Sequence, residues 1–158
     1  MIDVEHFRIH VVRATLMSLR MWSMSAENLL LGTAVQESGL RYLRQFNDGP
    51  ARGLYQIEPA THDDIWDVYL KHHRTLKGRI EVLVAPVPSR IDQLATNLAY
   101  ATAIARLVYW RHPEPLPAPG DVDGLAGYWK KYFNTVKGKG RVADFAAKYR
   151  RHVLGETG

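Results

Sequence analysis

The sequence of 158 residues contains no cysteine, which excludes disulfides and metal sites built from thiolates. It also contains no stretch approaching the roughly 20 apolar residues that span a bilayer. The first residues mix charged with apolar positions, so we expect no secretory signal there. With 46% hydrophobic and 23% charged residues, the composition is typical of a globular protein, and we expect one domain over residues 1–158.

Acidic residues are fewer than basic ones, 16 against 21, and the excess of positive charge lies towards the end of the chain. Residues 130 to 151 include eight Lys or Arg against one acid, Asp144. Such a stretch either attracts polyanions, including the carboxylates of a cell wall, or forms a solvated helix face. It lacks interleaved aromatics or a recognisable reading helix, so we predict no nucleic-acid partner.

Helical periodicity dominates the chain, and we predict helices over residues 4–21, 25–37, 59–76, 89–108, 124–133 and 142–153. Ser25, Thr61 and Ser89 are the predicted caps. The helix ending at 108 is rich in small residues and is expected to be the buried central one. Residues 112–120 are proline-rich and predict a stiff surface loop. Residues 54–57 predict either one strand of a small hairpin or an extended segment. The fold class is therefore α+β, mainly α.

Glu37 is the first candidate for chemistry. The predicted helix reaches this glutamate and stops at once in Ser38 and Gly39. A carboxylate at the C-terminal, negative end of a helix dipole favours its neutral form, and apolar walls would add to that preference. A proton held near neutral pH is what a general acid needs to protonate a poor leaving group such as a glycosidic oxygen. The alternative is an exposed glutamate at a fraying helix end.

Two neighbouring strings resemble the paired signature of lytic transglycosylases, which are relatives of goose-type lysozyme. The first is residues 37–40, Glu-Ser-Gly-Leu, and the second is residues 51–61, Ala-Arg-Gly-Leu-Tyr-Gln-Ile-Glu-Pro-Ala-Thr. In that family the first string ends the helix that bears the catalytic acid, and the second lines the saccharide groove. Tyr55 stands where the family usually has Met. The resemblance implies a lysozyme-like fold.

Two later segments resemble the family more weakly. Residues 97–101, Asn-Leu-Ala-Tyr-Ala, are similar to the start of its central helix, with Ala101 in place of the usual Gly. Residues 132–135 and 138–142 are similar to a diverged version of its last motif. There Phe133 replaces a tyrosine that would hydrogen-bond the acid. Tyr128 and Tyr132 are the alternatives for supplying that hydroxyl.

The resemblance implies a peptidoglycan lytic transglycosylase or muramidase that cleaves the MurNAc–GlcNAc bond with Glu37 as its general acid and base. No second catalytic carboxylate is evident, although Glu58 and Asp48 are candidates, so the substrate's N-acetyl carbonyl is expected to stabilise the developing cation. Abstraction of a proton from the sugar's 6-hydroxyl would give a 1,6-anhydro product, and abstraction from water would give a hydrolysed end. The residues expected to bind substrate are Ser38, Gly53, Tyr55, Gln56, Asn97, Tyr132 and Asn134.

Ordinary structural roles would also explain several of these residues. Ser38 would equally cap the helix, and Tyr55 would equally be a core residue. His62, His72 and His73 do not form a recognisable metal-ligand pattern, so we expect neither a metal nor an organic cofactor.

Peptidoglycan glycan strands are the expected partner, and the site of action is the cell wall, in the periplasm or at the cell surface. Since no export signal is evident, a bacteriophage protein would fit, either carried in the virion with other virion proteins or released from the host cytoplasm as a bacteriolytic enzyme. The alternative function is a non-catalytic peptidoglycan-binding or virion structural module that retains the fold. The departures at Ala101 and Phe133 favour that alternative.

Overall fold

The computed structural model describes residues 1–158 and is mainly helical, as the periodicity predicts. Three π-helical stretches, Arg8–Arg13, Ile65–Tyr69 and Lys130–Asn134, each continue the α-helix that precedes them. No helix has both the length and the apolar character needed to cross a membrane. The α-helices are α1 Val4–Phe7, α2 Ala14–Ser18, α3 Met24–Ser38, α4 Pro59–Asp64, α5 Arg74–Glu81, α6 Arg90–Thr96, α7 Leu98–Trp110, α8 Val122–Trp129 and α9 Val142–His152.

Two of the three predicted helix caps are wrong. Ser23, not Ser25, caps α3, because its hydroxyl accepts the N–H of Ala26 at 3.0 Å. Helix α4 begins with proline in its first turn and has no side-chain cap, so Thr61 lies inside the helix. The third prediction is confirmed, since Ser89 caps α6 by accepting the N–H of Asp92.

The long helix predicted to end at residue 108 is divided at Asn97. This residue has extended backbone angles, φ −123° and ψ 96°, and its side-chain oxygen accepts the N–H of Tyr100 at 3.0 Å. Asn97 therefore ends α6 and caps α7, a preference of asparagine that competes with continuing the helix.

Helix α7 is central, as its small residues predict. It is buried from Tyr100 to Tyr109 and contacts α2, α3 and the extension of α8. It belongs to one hydrophobic cluster of 36 buried residues that draws on every part of the chain. Helix α3 contacts both α7 and α8, and Glu37 near its end is hydrogen-bonded to Trp129 of α8, which positions the candidate site.

A buried charge network, not predicted from the sequence, attaches the first helical segment to α3. Glu27 is 1% exposed, and its carboxylate accepts hydrogen bonds from Arg8, Arg13 and Trp22 at 2.7 to 2.9 Å. Burial opposes ionisation, but the bonds from Arg13, Trp22 and Arg8 outweigh it and lower the pKa of Glu27 to about 2. The glutamate is therefore ionised and paired at neutral pH.

Neither alternative predicted for residues 54–57, a hairpin strand or an extended segment, forms. Residues 53–56 are instead a tight turn closed by an isolated bridge between Arg52 and Ile57, and a second isolated bridge joins Arg44 to Arg52. Gly53 and Gln56 both have positive φ, 75° and 49°. The chain reverses within four residues, which leaves no length for a strand ladder.

Candidate active site

Glu37 lies in the last turn of α3. Gly39 ends this helix in the left-handed conformation, φ 60°, and its N–H donates to the carbonyl of Val35. A residue with a side chain is strained in that conformation, so the Ser-Gly pair after Glu37 is a local signal for the helix end. The carboxylate is thereby placed at the negative end of the helix, as predicted.

The Glu37 carboxylate is half-buried and accepts a hydrogen bond from the indole Nε1 of Trp129 at 2.9 Å. Burial raises the pKa of Glu37 to about 7, although the Trp129 bond and the charge of Lys148 lower it. A group with this pKa is about half protonated at neutral pH. It can therefore donate a proton and later accept one, as a general acid and base must.

Trp129 is held rigidly behind the carboxylate. It is fully buried in α8 and stacks on Phe145 of α9, with ring centroids 5.3 Å apart. A Cβ at Gly140 would lie 2.5 Å from Cη2 of the indole, so the glycine leaves room for the ring. The donor to Glu37 is thus fixed by packing on two sides.

An open groove of about 710 Å³ runs past Glu37. The loop between α3 and α4 supplies one set of lining residues, and the segment after α8 supplies another. The groove is lined by Glu37, Tyr42, Arg44, Gln45, Phe46, Asn47, Ala51, Gln56, Ile57, Glu58, Thr61, Val108, Phe133, Asn134, Thr135, Lys137, Gly138 and Lys139. Glu37 and Glu58 are the carboxylates among them, whereas Asp48 is absent.

Ser38 connects the two strings that carry the resemblance. Its hydroxyl donates to the carbonyl of Leu54 at 2.7 Å, lies 3.1 Å from the carbonyl of Ala34, and accepts the N–H of Leu40 at 3.2 Å. The residue is 3% exposed and does not line the groove. Ser38 therefore has the structural role at the helix end that was the alternative to substrate binding, and its hydroxyl is not exposed to the groove.

Gly53 is required by packing within the protein and does not line the groove. A Cβ at this position would lie 1.8 Å from the carbonyl oxygen of Leu94, at the end of α6. The N–H of Gly53 donates to the carbonyl of Leu43 at 2.9 Å. Gln56 does line the groove, but its amide Nε2 donates back to the carbonyl of Gly53 at 2.9 Å.

Tyr55 belongs to the core, which was the alternative to sugar stacking. It is 1% exposed, and its hydroxyl lies 3.0 Å from the hydroxyl of Thr102 on α7. Burial raises the pKa of Tyr55 far above its ordinary value. Asn97 is also away from the groove, since its amide donates to the carbonyl of Leu83 at 2.8 Å in addition to capping α7.

Neither tyrosine proposed as a support for the acid reaches it. The hydroxyl of Tyr128 donates to the carbonyl of Glu114 at 2.8 Å, and the hydroxyl of Tyr132 donates to the carboxylate of the same residue. Tyr132 also stacks on His112 and does not line the groove. The hydrogen-bond donor to Glu37 is Trp129.

Asn134 does line the groove and is braced from behind. The ammonium of Lys130 donates to its side-chain oxygen at 2.7 Å and to the carbonyl of Gly138 at 2.8 Å. This ammonium fixes the loop that follows α8 and forms part of the groove. Phe133 lines the groove as well, and its ring stacks on Tyr109 at 5.4 Å.

The role of Trp129 is not predicted from the sequence, although a signal is present. Trp129 lies four residues before Phe133, the position that the resemblance places beside the acid, so the two share one helix face. Tyr42 and Phe46 are not predicted either, because exposed aromatics in a loop have no periodicity to reveal them.

The basic end of the chain is not one continuous free face. Lys131, Arg141 and Arg150 form ion pairs with Glu114, Asp144 and Asp123. Lys130 is occupied in bracing the loop, and Lys148 donates to the carbonyl of Gln36.

Comparisons with models of protein families, with curated proteins and with solved structures each found no match. Function must therefore be inferred from the Glu37 carboxylate and its groove. The arrangement combines a carboxylate that is about half protonated at neutral pH with an open groove, which suits acid–base chemistry on a bound substrate.

Proposed function

We propose that the protein has a lysozyme-like fold and cleaves the MurNAc–GlcNAc bond of peptidoglycan as a lytic transglycosylase or muramidase, with Glu37 as the single general acid and base. One observation carries the proposal: a half-buried glutamate with a pKa of about 7 lies in the last turn of a helix and lines an open groove. The resemblance of residues 37–40 and 51–61 to the family's paired signature points to the same glutamate. Ser38 also joins the two strings through its bond to Leu54.

In the first step Glu37 donates its proton to the bridging oxygen as the bond from that oxygen to C1 of MurNAc breaks. The GlcNAc end leaves with a hydroxyl, and positive charge develops on the MurNAc ring. The N-acetyl carbonyl oxygen of the same sugar then bonds to C1, in a substrate-assisted reaction that requires no second carboxylate from the protein.

In the second step the Glu37 carboxylate accepts a proton. If the proton comes from the 6-hydroxyl of the same sugar, that oxygen bonds to C1, the N-acetyl oxygen leaves, and a 1,6-anhydro ring results. If it comes from water, a hydrolysed reducing end results. The Trp129 hydrogen bond stabilises the carboxylate between the two steps, because it favours the ionised form.

The proposal is tested by the release of soluble fragments from purified peptidoglycan. We expect the wild type to release them and Glu37→Gln to be slower by about 100-fold or more, because glutamine keeps the shape but carries no transferable proton. Glu58→Gln is the matched control, since Glu58 is exposed and lines the same groove. We expect only a modest effect there.

Full activity of Glu37→Gln, with Glu58→Gln inactive, would show that the acid is misassigned. A wild type that binds peptidoglycan without releasing fragments would instead support the non-catalytic binding module.

A further inference from the structure

Three cations line the groove without a partner in the chain. Arg44 comes from the loop between α3 and α4, and Lys137 and Lys139 come from the loop after α8. None of them takes part in an ion pair, although other basic residues of the same stretch do. Positive charge from two separate loops thus lies along one groove.

The only carboxylates that line the groove are Glu37 and Glu58, so its lining has a net charge of +2 when Glu37 is protonated. A cleft lined mainly by one sign of charge concentrates ligands of the opposite sign. The loop that carries Lys137 and Lys139 is held in place, because the ammonium of Lys130 bonds to Asn134 and Gly138 on either side of Lys137.

An apolar surface lies in the same groove. Tyr42 is 43% exposed and Phe46 is 65% exposed, and their rings meet edge to face with centroids 4.5 Å apart. Phe46 precedes a tight turn in which Asn47 and Asp48 have φ of 55° and 54°, and the N–H of Gly49 donates to its carbonyl. This turn fixes where the aromatic pair is presented.

Aromatic faces bind the C–H faces of sugar rings through apolar contact, whereas Lys and Arg bind carboxylates. A neutral glycan would use only the first of these surfaces and would leave the cations without partners. A polyanion without sugars would use only the second. A glycan that bears carboxylate substituents uses both.

We infer that the groove selects glycan strands that carry anionic substituents, with a sugar ring against Tyr42 and Phe46 and a carboxylate against Arg44, Lys137 or Lys139. This inference rests on the proposed function for the glycan class, and it adds the requirement for charge. The relevant carboxylates in peptidoglycan are those of the peptides attached through the lactyl group of MurNAc.

The test measures binding rather than cleavage, so its outcome does not depend on catalytic activity. Glu37→Gln is titrated with two soluble probes, a peptide-bearing glycan oligomer from peptidoglycan and the neutral N-acetylglucosamine hexamer. At low salt we expect roughly tenfold tighter binding of the peptide-bearing oligomer, the size that a few exposed ion pairs support. The preference should fall at high salt, where exposed charges are screened.

Variants assign the preference to the groove. Adding Lys137→Gln and Lys139→Gln should remove most of the preference and leave binding of the neutral hexamer nearly unchanged. Adding Tyr42→Ala and Phe46→Ala should weaken binding of both probes. The matched control is Lys71→Gln with Lys77→Gln, which removes the same charge from side chains outside the groove and should leave the preference intact.

Equal affinity for the two probes would overturn the inference, and so would an equal loss of preference in the Lys71 and Lys77 control. Polyglycerol phosphate binding as tightly as the peptide-bearing oligomer would show that the cations respond to charge alone, which would also overturn it. If the wild type fails to cleave peptidoglycan but Glu37→Gln retains the preference, the proposed catalysis fails and the selectivity stands.

Discussion

Replacing Glu37 with glutamine should make the folded protein more stable while it removes activity. The carboxylate has a pKa of about 7 in the folded protein, against an ordinary value of 4.5. Its ionised form is therefore disfavoured by folding. The wild type has its full Glu37-dependent stability below about pH 4.5 and loses it as the pH rises through about 7. Glutamine cannot ionise, so it does not incur this loss.

The size of the effect follows from the shift in pKa. Each unit corresponds to about 1.4 kcal/mol, and allowance for the partial exposure of the carboxylate gives a gain on the order of 2–3 kcal/mol for Glu37→Gln above pH 7. For a chain of this length that gain corresponds to a rise in Tm of about 5–10 °C. At pH 4 the two proteins should have nearly the same Tm, because wild-type Glu37 is then protonated.

Thermal unfolding of both proteins at pH 4, 6 and 8 measures the effect, and Glu58→Gln provides the control. We expect the Tm difference for Glu37→Gln to grow with pH and, at pH 8, to exceed the difference for Glu58→Gln, because Glu58 is exposed. A Tm difference for Glu37→Gln that does not change with pH would show that folding does not perturb this carboxylate.

Three further substitutions test the supporting contacts. Trp129→Phe keeps a ring in the core but removes the N–H that favours ionised Glu37, so the pKa of Glu37 should rise. The alkaline limb of the pH–rate profile should then move to higher pH, and an unmoved limb would contradict the role of Glu37 as the general acid. Gly53→Ala should cost about 2–4 kcal/mol in urea unfolding, because φ is 75° and its Cβ would collide with the carbonyl of Leu94; near wild-type stability would contradict this. Glu27→Gln should lower the free energy of unfolding by about 3 kcal/mol at pH 7. This loss should shrink as the pH falls from 4.5 through about 2, because Glu27 of the wild type is then protonated; a loss that does not depend on pH would argue against the ion network.

Helices could be predicted where the signal lies within one turn. The apolar pattern and Ser89 are local, so the start of α6 and both ends of α9 agree closely with the prediction. The break at Asn97 was missed because an unbroken apolar pattern continues across it. Only the bonds from Asn97 to the carbonyl of Leu83 and to the N–H of Tyr100 show why the helix divides.

The candidate site was predictable to a similar extent. The position of Glu37 at a helix end follows from the adjacent Ser-Gly pair, which is local. The pairing with Trp129 is not local, since it joins residues 92 positions apart through the packing of α8 against α3. The places of Ser38 and Gly53 outside the groove could not be predicted, because both depend on contacts with distant backbone, at Leu54 and Leu94, that no motif reveals.

The chain ends produced from purified peptidoglycan show whether Glu37 cleaves the bond at C1 of MurNAc. They are identified by mass spectrometry, with the wild type and folded Glu37→Gln compared at pH 6. We expect new MurNAc ends, either 1,6-anhydro or reducing, from the wild type and almost none from Glu37→Gln. New ends at GlcNAc or within the peptides, or MurNAc ends formed equally well by Glu37→Gln, would contradict it.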